Sequence, residues 1–293
     1  MKKYPTTLII IIFFSLLGCN DASQHKNVTK KSIDNDSTIL TEPKVQTNNT
    51  SNKLRDRILV PKNYKRAPYA KTSFGYYLQN LKLKPEGSLV KYYNGSTKSK
   101  AGVYHAVIDL DIGDKDLHQC ADAVMRLRAE YLWKEARYDD IKFNFTNGHQ
   151  VAYSEWMKGK RMQVKGNKTN WIQKTSASNT YEDLWNYLEL IFMYAGTSSL
   201  EKEMKTIRLS EVKVGDVLIQ GGFPGHAVIV VDEAIHSTSG KKIFMLAQSY
   251  MPAQHLQILM NPNDKELSPW YEFMDGEIAT PEWGFNASDF RSF

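Results

Sequence analysis

Hydrophobic and polar positions change their period along one stretch of the chain, which predicts a strand followed by a helix. Residues 103–113, VYHAVIDLDIG, combine β-branched and aromatic side chains and end at a glycine, a pattern typical of a strand. Residues 116–133, DLHQCADAVMRLRAEYLW, place Val124, Leu127 and Tyr131 at helical spacing. These three side chains are therefore expected to face the core.

The C-terminal half of the chain repeats this mixture of helix and strand patterns. Residues 181–204, YEDLWNYLELIFMYAGTSSLEKEM, predict a helix that ends near Ala195. Residues 215–232, GDVLIQGGFPGHAVIVVD, predict two strands joined by a turn rich in glycine and proline, and residues 241–250, KKIFMLAQSY, predict a third strand. Together the elements predict one α+β domain over residues 54–293.

The first residues follow a third pattern, which is typical of a secretion signal. Lys2 and Lys3 precede an apolar run at residues 8–17 that is too short to span a bilayer. The run ends in LLGC, which resembles the lipobox of bacterial lipoproteins. The resemblance implies a signal peptide over residues 1–18, lipidation of Cys19, and an exported protein anchored to a membrane of the cell envelope. The alternative is an ordinary signal peptide with a cysteine there by chance.

Composition separates a tether from the domain. Residues 19–53 are rich in Asn, Ser, Thr and Lys and have no apolar period, which predicts a disordered tether. The whole chain has 42% hydrophobic and 12% aromatic residues, as a folded enzyme or binding domain would. Its net charge of +6 favours attraction to anionic envelope polymers or headgroups. Nucleic acid is not an expected partner, because an exported lipoprotein does not meet it.

Cys120 is the thiol that lipidation of Cys19 would leave, since the chain has two cysteines. It lies in the first turn of the predicted helix, for which Asp116 is the expected cap and Gln119 its capping-box partner. A leftover cysteine in an exported protein indicates a reactive thiol or an intermolecular partner. A helix N-terminus lowers the pKa of a thiol, which favours reactivity. The alternative is an inert cysteine packed as a small hydrophobe.

The blocks CADAVMRL, GDVLIQGGFPGHAVIVVD and FMLAQSY resemble the papain-like cell-wall cysteine hydrolases of the NlpC and CHAP types. The resemblance implies a papain-like topology, in which a helix carrying the cysteine packs on an antiparallel sheet carrying the histidine. It also implies that Cys120 is the nucleophile, that His226 is the general base, and that Gln248 orients the imidazole. The chain resembles uncharacterised bacterial lipoproteins over most of residues 58–293 as well, without implying an activity.

Two features depart from the pattern of these hydrolases. Cys120 and His226 lie further apart in sequence than in those families, so residues 134–210 are interpreted as an insertion. Gln248 is neutral and would stabilise an imidazolium little. The remaining site candidates are Gln119, Ser249 and His105, as oxyanion or supporting residues.

The sequence therefore predicts an envelope lipoprotein that acts as a thiol-dependent hydrolase or transferase on an amide or ester bond, with peptidoglycan as a candidate substrate. No cofactor is expected, and no cluster of His, Cys and Asp has metal-ligand spacing. The alternatives are a lipoprotein that binds a ligand in the same groove without turnover, and a structural partner in an envelope complex. Both would leave Cys120 without a chemical role.

Overall fold

A computed structural model describes residues 45–293. The signal peptide predicted over residues 1–18, the lipid site predicted at Cys19 and the first part of the tether lie outside the described residues, so these assignments stay predictions. Within residues 45–293 no helix is long and apolar enough to cross a membrane.

The described residues form short helices and many strands. The α-helices are α1 (Leu54–Arg57), α2 (Phe74–Gln79), α3 (Cys120–Lys134), α4 (Tyr153–Met157), α5 (Tyr181–Tyr194) and α6 (Thr197–Glu203). The strands are β1 (Tyr64–Arg66), β2 (Tyr104–Val107), β3 (Lys142–Asn144), β4 (Gln150–Ala152), β5 (Lys160–Lys165), β6 (Lys168–Gln173), β7 (Lys205–Thr206), β8 (Val217–Gln220), β9 (His226–His236), β10 (Lys242–Gln248), β11 (Gln257–Leu259), β12 (Trp270–Tyr271), β13 (Glu277–Ala279), β14 (Gly284–Asn286) and β15 (Phe290–Ser292). Short 3₁₀ turns lie at Tyr138–Asp140, Leu209–Glu211 and Ala287–Asp289.

A nine-stranded antiparallel sheet organises the described part of the chain. Its strand order is β2-β11-β10-β9-β8-β15-β7, with β1 added to one end of β9 and β12 to β10. Helices α2 and α3 pack on β9. The first nine residues of β9 are all buried, which is why apolar residues follow one another without alternation over residues 227–231. The predicted α+β class is confirmed, whereas the papain-like topology stays a prediction.

Helix α3 begins later than the sequence pattern indicated. Its N-cap is Gln119, whose backbone N–H donates to Asp122 Oδ2 at 2.9 Å. Asp116 was the predicted cap, but its Oδ1 accepts from the backbone N–H of Ala253 at 2.6 Å. That assignment is wrong because a distant loop binds the carboxylate that the local pattern assigned to the helix. The predicted inward face is confirmed, since Val124, Leu127 and Tyr131 are all buried.

Residues 134–210 pack onto the same core as the rest of the domain. They contain the hairpins β3–β4 and β5–β6 and the helices α4 to α6. Tyr187, Leu188 and Ile191 of α5 are fully buried in the hydrophobic cluster that also contains the α3 stripe. The segment is therefore an integral part of the fold and can form walls of a site.

Contacts with the domain begin before residue 54, where the tether was predicted to end. Thr47 forms an antiparallel bridge with Ile58, and Ser51 O accepts from Arg57 Nε at 2.6 Å. The side chain of Val45 packs against the hydrophobic core. Residues 45–53 are thus attached to the domain. One apolar side chain and several backbone hydrogen bonds hold them there, although their polar composition predicted a disordered segment.

Candidate functional site

Cys120 and His226 line one cavity of about 730 Å³. Cys120 is the first residue of α3 and His226 is the first residue of β9. Residues 222–225, in the turn between β8 and β9, complete the wall next to His226. The tertiary structure thus brings the two predicted reactive residues to the same concave surface, although they are far apart in sequence.

The imidazole of His226 is held by Gln248. β9 and β10 are antiparallel neighbours, so the first residue of one and the last residue of the other lie at the same end of the sheet. His226 Nε2 and Gln248 Oε1 are 2.8 Å apart, and both residues are buried. The role predicted for Gln248, orienting the imidazole, is consistent with this contact.

The hydrogen bonds around Gln248 determine the tautomer of His226. Gln248 Nε2 donates to Glu282 Oε2 at 2.8 Å, and a carboxylate oxygen can only accept. The amide NH₂ therefore faces Glu282, and Oε1 faces the imidazole. Because Oε1 is also an acceptor, His226 Nε2 must carry the proton. Nδ1 then bears the lone pair that a general base needs.

Aromatic rings surround the imidazole of His226. Its ring centroid lies 4.7 Å from that of Tyr250, 5.5 Å from that of Trp283 and 5.9 Å from that of Phe285. Burial lowers the pKa of His226 to about 4, although the bond to Gln248 and the charge of Glu282 act in the opposite direction. The imidazole is therefore neutral at physiological pH.

Burial also decides the ionisation of Cys120. Desolvation, with a smaller contribution from the Asp122 carboxylate, raises the pKa of the Cys120 thiol to about 11. The backbone N–H groups of Ala121 and Ala227 oppose this shift and are outweighed. The N–H groups at the helix start do lower this pKa, but the predicted net decrease is wrong for the free protein, because desolvation of the sulfur is the larger effect. Cys120 and His226 thus form a neutral thiol and imidazole, and not a preformed ion pair.

This ionisation state predicts slow alkylation of Cys120 at neutral pH. In the chain with Cys19→Ser, the iodoacetamide rate should rise with pH until about pH 11, where the thiol titrates. At neutral pH the folded chain should react about 100-fold more slowly than the same chain unfolded in urea, because raising the pKa from 9.0 to about 11 leaves about one hundredth of the thiolate. A rate that already levels off near neutral pH would indicate a thiolate–imidazolium pair and contradict the prediction.

Residues 134–210 supply a part of the cavity wall that lies against the β8–β9 turn. Phe192 of α5 and residues 195–198 around the start of α6 line the cavity. A Cβ atom on Gly225 would lie 2.5 Å from Thr197 Oγ1 and 2.7 Å from Gly222 O. Only glycine allows the turn before His226 to approach α6 this closely. The segment interpreted as an insertion therefore shapes the site.

The other predicted site residues take supporting or unrelated positions. Gln119 lines the cavity, but its Nε2 donates to Asp116 Oδ1 at 3.0 Å. Ser249 is buried, and its Oγ lies 2.8 Å from His118 O and 2.7 Å from Gln254 O, which links the chain before α3 to the chain after β10. Ser249 forms no hydrogen bond with His226 in the described structure.

His105 is not brought to the site. It lines a different cavity of about 450 Å³, whose wall also contains Lys100 and Glu86. Burial lowers the pKa of His105, as it does for other histidines of the domain. A supporting role for His105 toward Cys120 therefore has no structural basis. No group of three or more His, Cys, Asp or Glu side chains placed to hold a metal ion occurs in residues 45–293.

Sequence reasoning missed the residues that the C-terminal segment brings to His226. Glu282, Trp283 and Phe285 lie in a stretch with weak periodicity, which predicts no particular element there. Their side chains contact or approach Gln248 and His226 because β14 lies beside β8 and returns the chain to the end of the sheet. No local pattern signals this, since the contact depends on strand order.

The fold and the site define a class: an α+β protein with a half-buried cysteine and a glutamine-bound histidine in one cavity. The chain belongs to the family described as "Domain of unknown function (4846)", whose model matches residues 54–292. No curated protein and no solved structure matches the chain.

Proposed function

We propose that this chain is a thiol-dependent hydrolase or transferase that acts on an amide or ester bond, with the papain-like arrangement that its sequence resembles. The observation that supports this most strongly is the orientation of His226. Its Nε2 is held by Gln248 at 2.8 Å, which leaves Nδ1 without a proton, and His226 lines the same cavity as Cys120. In this proposal Cys120 is the nucleophile, His226 the general base, and Gln248 the residue that orients the base.

The proposed chemistry follows from the neutral state of both groups. As Cys120 Sγ attacks the substrate carbonyl, His226 Nδ1 takes the thiol proton. In this proposal, backbone N–H groups in the first turn of α3 stabilise the developing oxyanion. The intermediate then expels an amine or alcohol, which receives the proton from the imidazolium. Water, or a second acceptor, releases the acyl group from the thioester.

The walls of the cavity favour a neutral, apolar acyl group. Phe192, Phe223, Met251 and Trp283 contribute apolar surface, and none of the described lining residues is Lys or Arg. Asp122 lines the cavity as well, but it is buried and accepts from the Gln119 backbone N–H. A peptidoglycan stem peptide carries free carboxylates, for which these walls offer no cationic partner. An acyl donor without charge near the scissile carbonyl is therefore the preferred substrate class.

A panel of acyl donors tests the proposal. The wild-type chain and Cys120→Ala are incubated with p-nitrophenyl esters of increasing acyl length and with peptidoglycan fragments, and acylation is followed by intact mass. The expected result is an acyl adduct on Cys120 and turnover of the longer apolar esters, both absent from Cys120→Ala. If only the peptidoglycan fragments were turned over, the substrate would be peptidoglycan and not an uncharged apolar acyl donor. Equal turnover by both proteins, or no acylation by any donor, would refute the proposal that the chain is a thiol-dependent enzyme.

The second candidate function is binding of an apolar ligand without turnover. Phe223 is 95% exposed and Met251 is 55% exposed, and both lie on the wall of the cavity. Exposed apolar side chains grouped at a cavity mark binding sites for apolar partners. The panel of acyl donors distinguishes the two functions. If the protein only binds an apolar ligand, the wild type and Cys120→Ala should retain fatty acyl ligands equally well.

A further inference from the structure

A buried ion pair lies directly behind the residue that orients His226. Lys98 Nζ donates to Glu282 Oε2 at 2.6 Å and to Gln254 Oε1 at 2.9 Å. The same oxygen, Glu282 Oε2, accepts from Gln248 Nε2 at 2.8 Å. Gln248 Oε1 in turn faces His226 Nε2. Lys98, Glu282, Gln248 and His226 thus form one continuous chain of hydrogen bonds that ends at the imidazole.

The burial of this ion pair needs an explanation beyond stability. The Lys98 side chain is 2% exposed and the Glu282 side chain is 10% exposed. Removing two charges from water costs about as much as their attraction returns, and apolar replacements of such pairs are often no less stable. The ion pair therefore need not stabilise the fold. Its more specific effect is to hold the neighbouring side chains in one hydrogen-bonded conformation.

The donors and acceptors in the chain permit a single arrangement. Lys98 is only a donor and the Glu282 carboxylate is only an acceptor. Gln248 therefore cannot rotate its amide by half a turn without placing its carbonyl against the carboxylate. Without Glu282, the amide could turn its NH₂ toward His226 and select the opposite tautomer, in which Nδ1 carries the proton. That tautomer cannot take a proton from Cys120.

We propose that Glu282, held in place by Lys98, is a positioning residue that locks the amide of Gln248 and through it the tautomer of His226. The inference rests on the proposed function for its purpose, because the locked tautomer matters only if His226 acts as a base. Lys98 and Glu282 orient the side chains and change the net electrostatic potential at His226 little. Glu282 raises the pKa of His226, whereas Lys98 lowers it, so the two charges oppose each other at the imidazole.

Substitutions at position 282 separate orientation from charge. In Glu282→Gln, the side-chain oxygen can still accept from both Lys98 and Gln248, so the lock should hold without the negative charge. In Glu282→Leu no acceptor remains, so the amide of Gln248 is free to turn. In Lys98→Met/Glu282→Gln, the donor that orients the new amide is gone, so the lock should fail although the glutamine is present.

The readout is the tautomer of His226, measured from the ¹⁵N shifts and one-bond N–H couplings of its ring. Wild type and Glu282→Gln should show Nε2 protonated at neutral pH. Glu282→Leu and the double variant should show a substantial Nδ1-protonated population. Acylation of Cys120 by an apolar p-nitrophenyl ester should fall about 10-fold or more in these two, and change less than about 3-fold in Glu282→Gln, because general-base catalysis is worth at least this much.

Two control variants distinguish a loss of folding from a loss of the fixed orientation of the Gln248 amide. Lys98→Met/Glu282→Leu removes both charges and should fold, yet it should show the same tautomer mixture as Glu282→Leu. Glu272→Gln disrupts the exposed pair with Lys241 at 2.9 Å and should leave the tautomer unchanged. An unaltered His226 tautomer in folded Glu282→Leu would overturn the inference. Because the NMR readout needs no substrate, it tests the lock even if the acyl-donor panel refutes the enzyme.

Discussion

Replacing His226 with Ala is expected to lower the acylation rate of Cys120 by about 10²–10⁴-fold at neutral pH, the usual contribution of a general base. The variant should also change the shape of the pH profile. In the wild type the rate should rise as the imidazole loses its proton near pH 4 and stay level up to the titration of the thiol near pH 11. Without the base, the rate should follow the thiolate fraction and rise about tenfold per pH unit up to that value.

The sign of this pH dependence follows from the two pKa shifts. Below about pH 4 the imidazole of His226 is protonated and cannot act as a base, so the wild-type activity is lost on the acidic side. His105→Ala is the matched control, because His105 is a half-buried histidine that lines the other cavity. It should leave both rate and profile unchanged. Identical profiles for wild type and His226→Ala would show that His226 does not act on the thiol.

The second large effect is expected on stability, from Asp232→Ala. Asp232 is fully buried in β9, and its Oδ2 accepts from Arg66 Nε at 2.8 Å. Its Oδ1 accepts from Gln79 Nε2, also at 2.8 Å. Removing the carboxylate takes the charged partner from the mostly buried guanidinium, which keeps only Ile58 O, and one of two acceptors from the buried amide, which keeps Ala67 O. Loss of one member of such a buried pair typically destabilises a protein by about 3–5 kcal/mol.

Urea unfolding measures this change in the free energy of unfolding. Glu272→Ala serves as the control, because it disrupts an exposed ion pair with Lys241. Exposed pairs contribute about 0–1 kcal/mol, so the control should unfold close to the wild type. If Asp232→Ala lowered the free energy of unfolding no more than the control does, then the contacts of Asp232 with Arg66 and Gln79 would not stabilise the packing of the N-terminal residues on the sheet.

The neutral thiol and imidazole bear on how reactivity would arise in this site. A helix N-terminus favours an anion, but the field at the start of α3 acts on a sulfur that the domain has desolvated, and desolvation is the larger effect on Cys120. Proton transfer to His226 would therefore accompany the attack on a substrate. The tautomer of His226 then matters more than its charge, which is why the bonds of Gln248 to His226 and Glu282 are the geometric features to test.

The sequence by itself determined the local elements and the fold class. The helical spacing of Val124, Leu127 and Tyr131 and the apolar run of β9 reflect which faces are buried, so they predicted α3, β9 and the α+β class. The resemblance to cysteine hydrolases also selected Cys120, His226 and Gln248, which the structure brings to one end of the sheet. These features are readable because periodicity and short motifs are properties of neighbouring residues.

Only the tertiary structure decided how the site is held and how its groups ionise. Asp116 binds the backbone of Ala253 and leaves the cap of α3 to Gln119, and Glu282 reaches Gln248 from a segment without any period. The pKa of Cys120 moved opposite to the direction that its helix position indicated, because the packing around the helix desolvates the sulfur. Desolvation and long-range hydrogen bonds depend on which distant segments meet, and no local pattern in a single sequence records that.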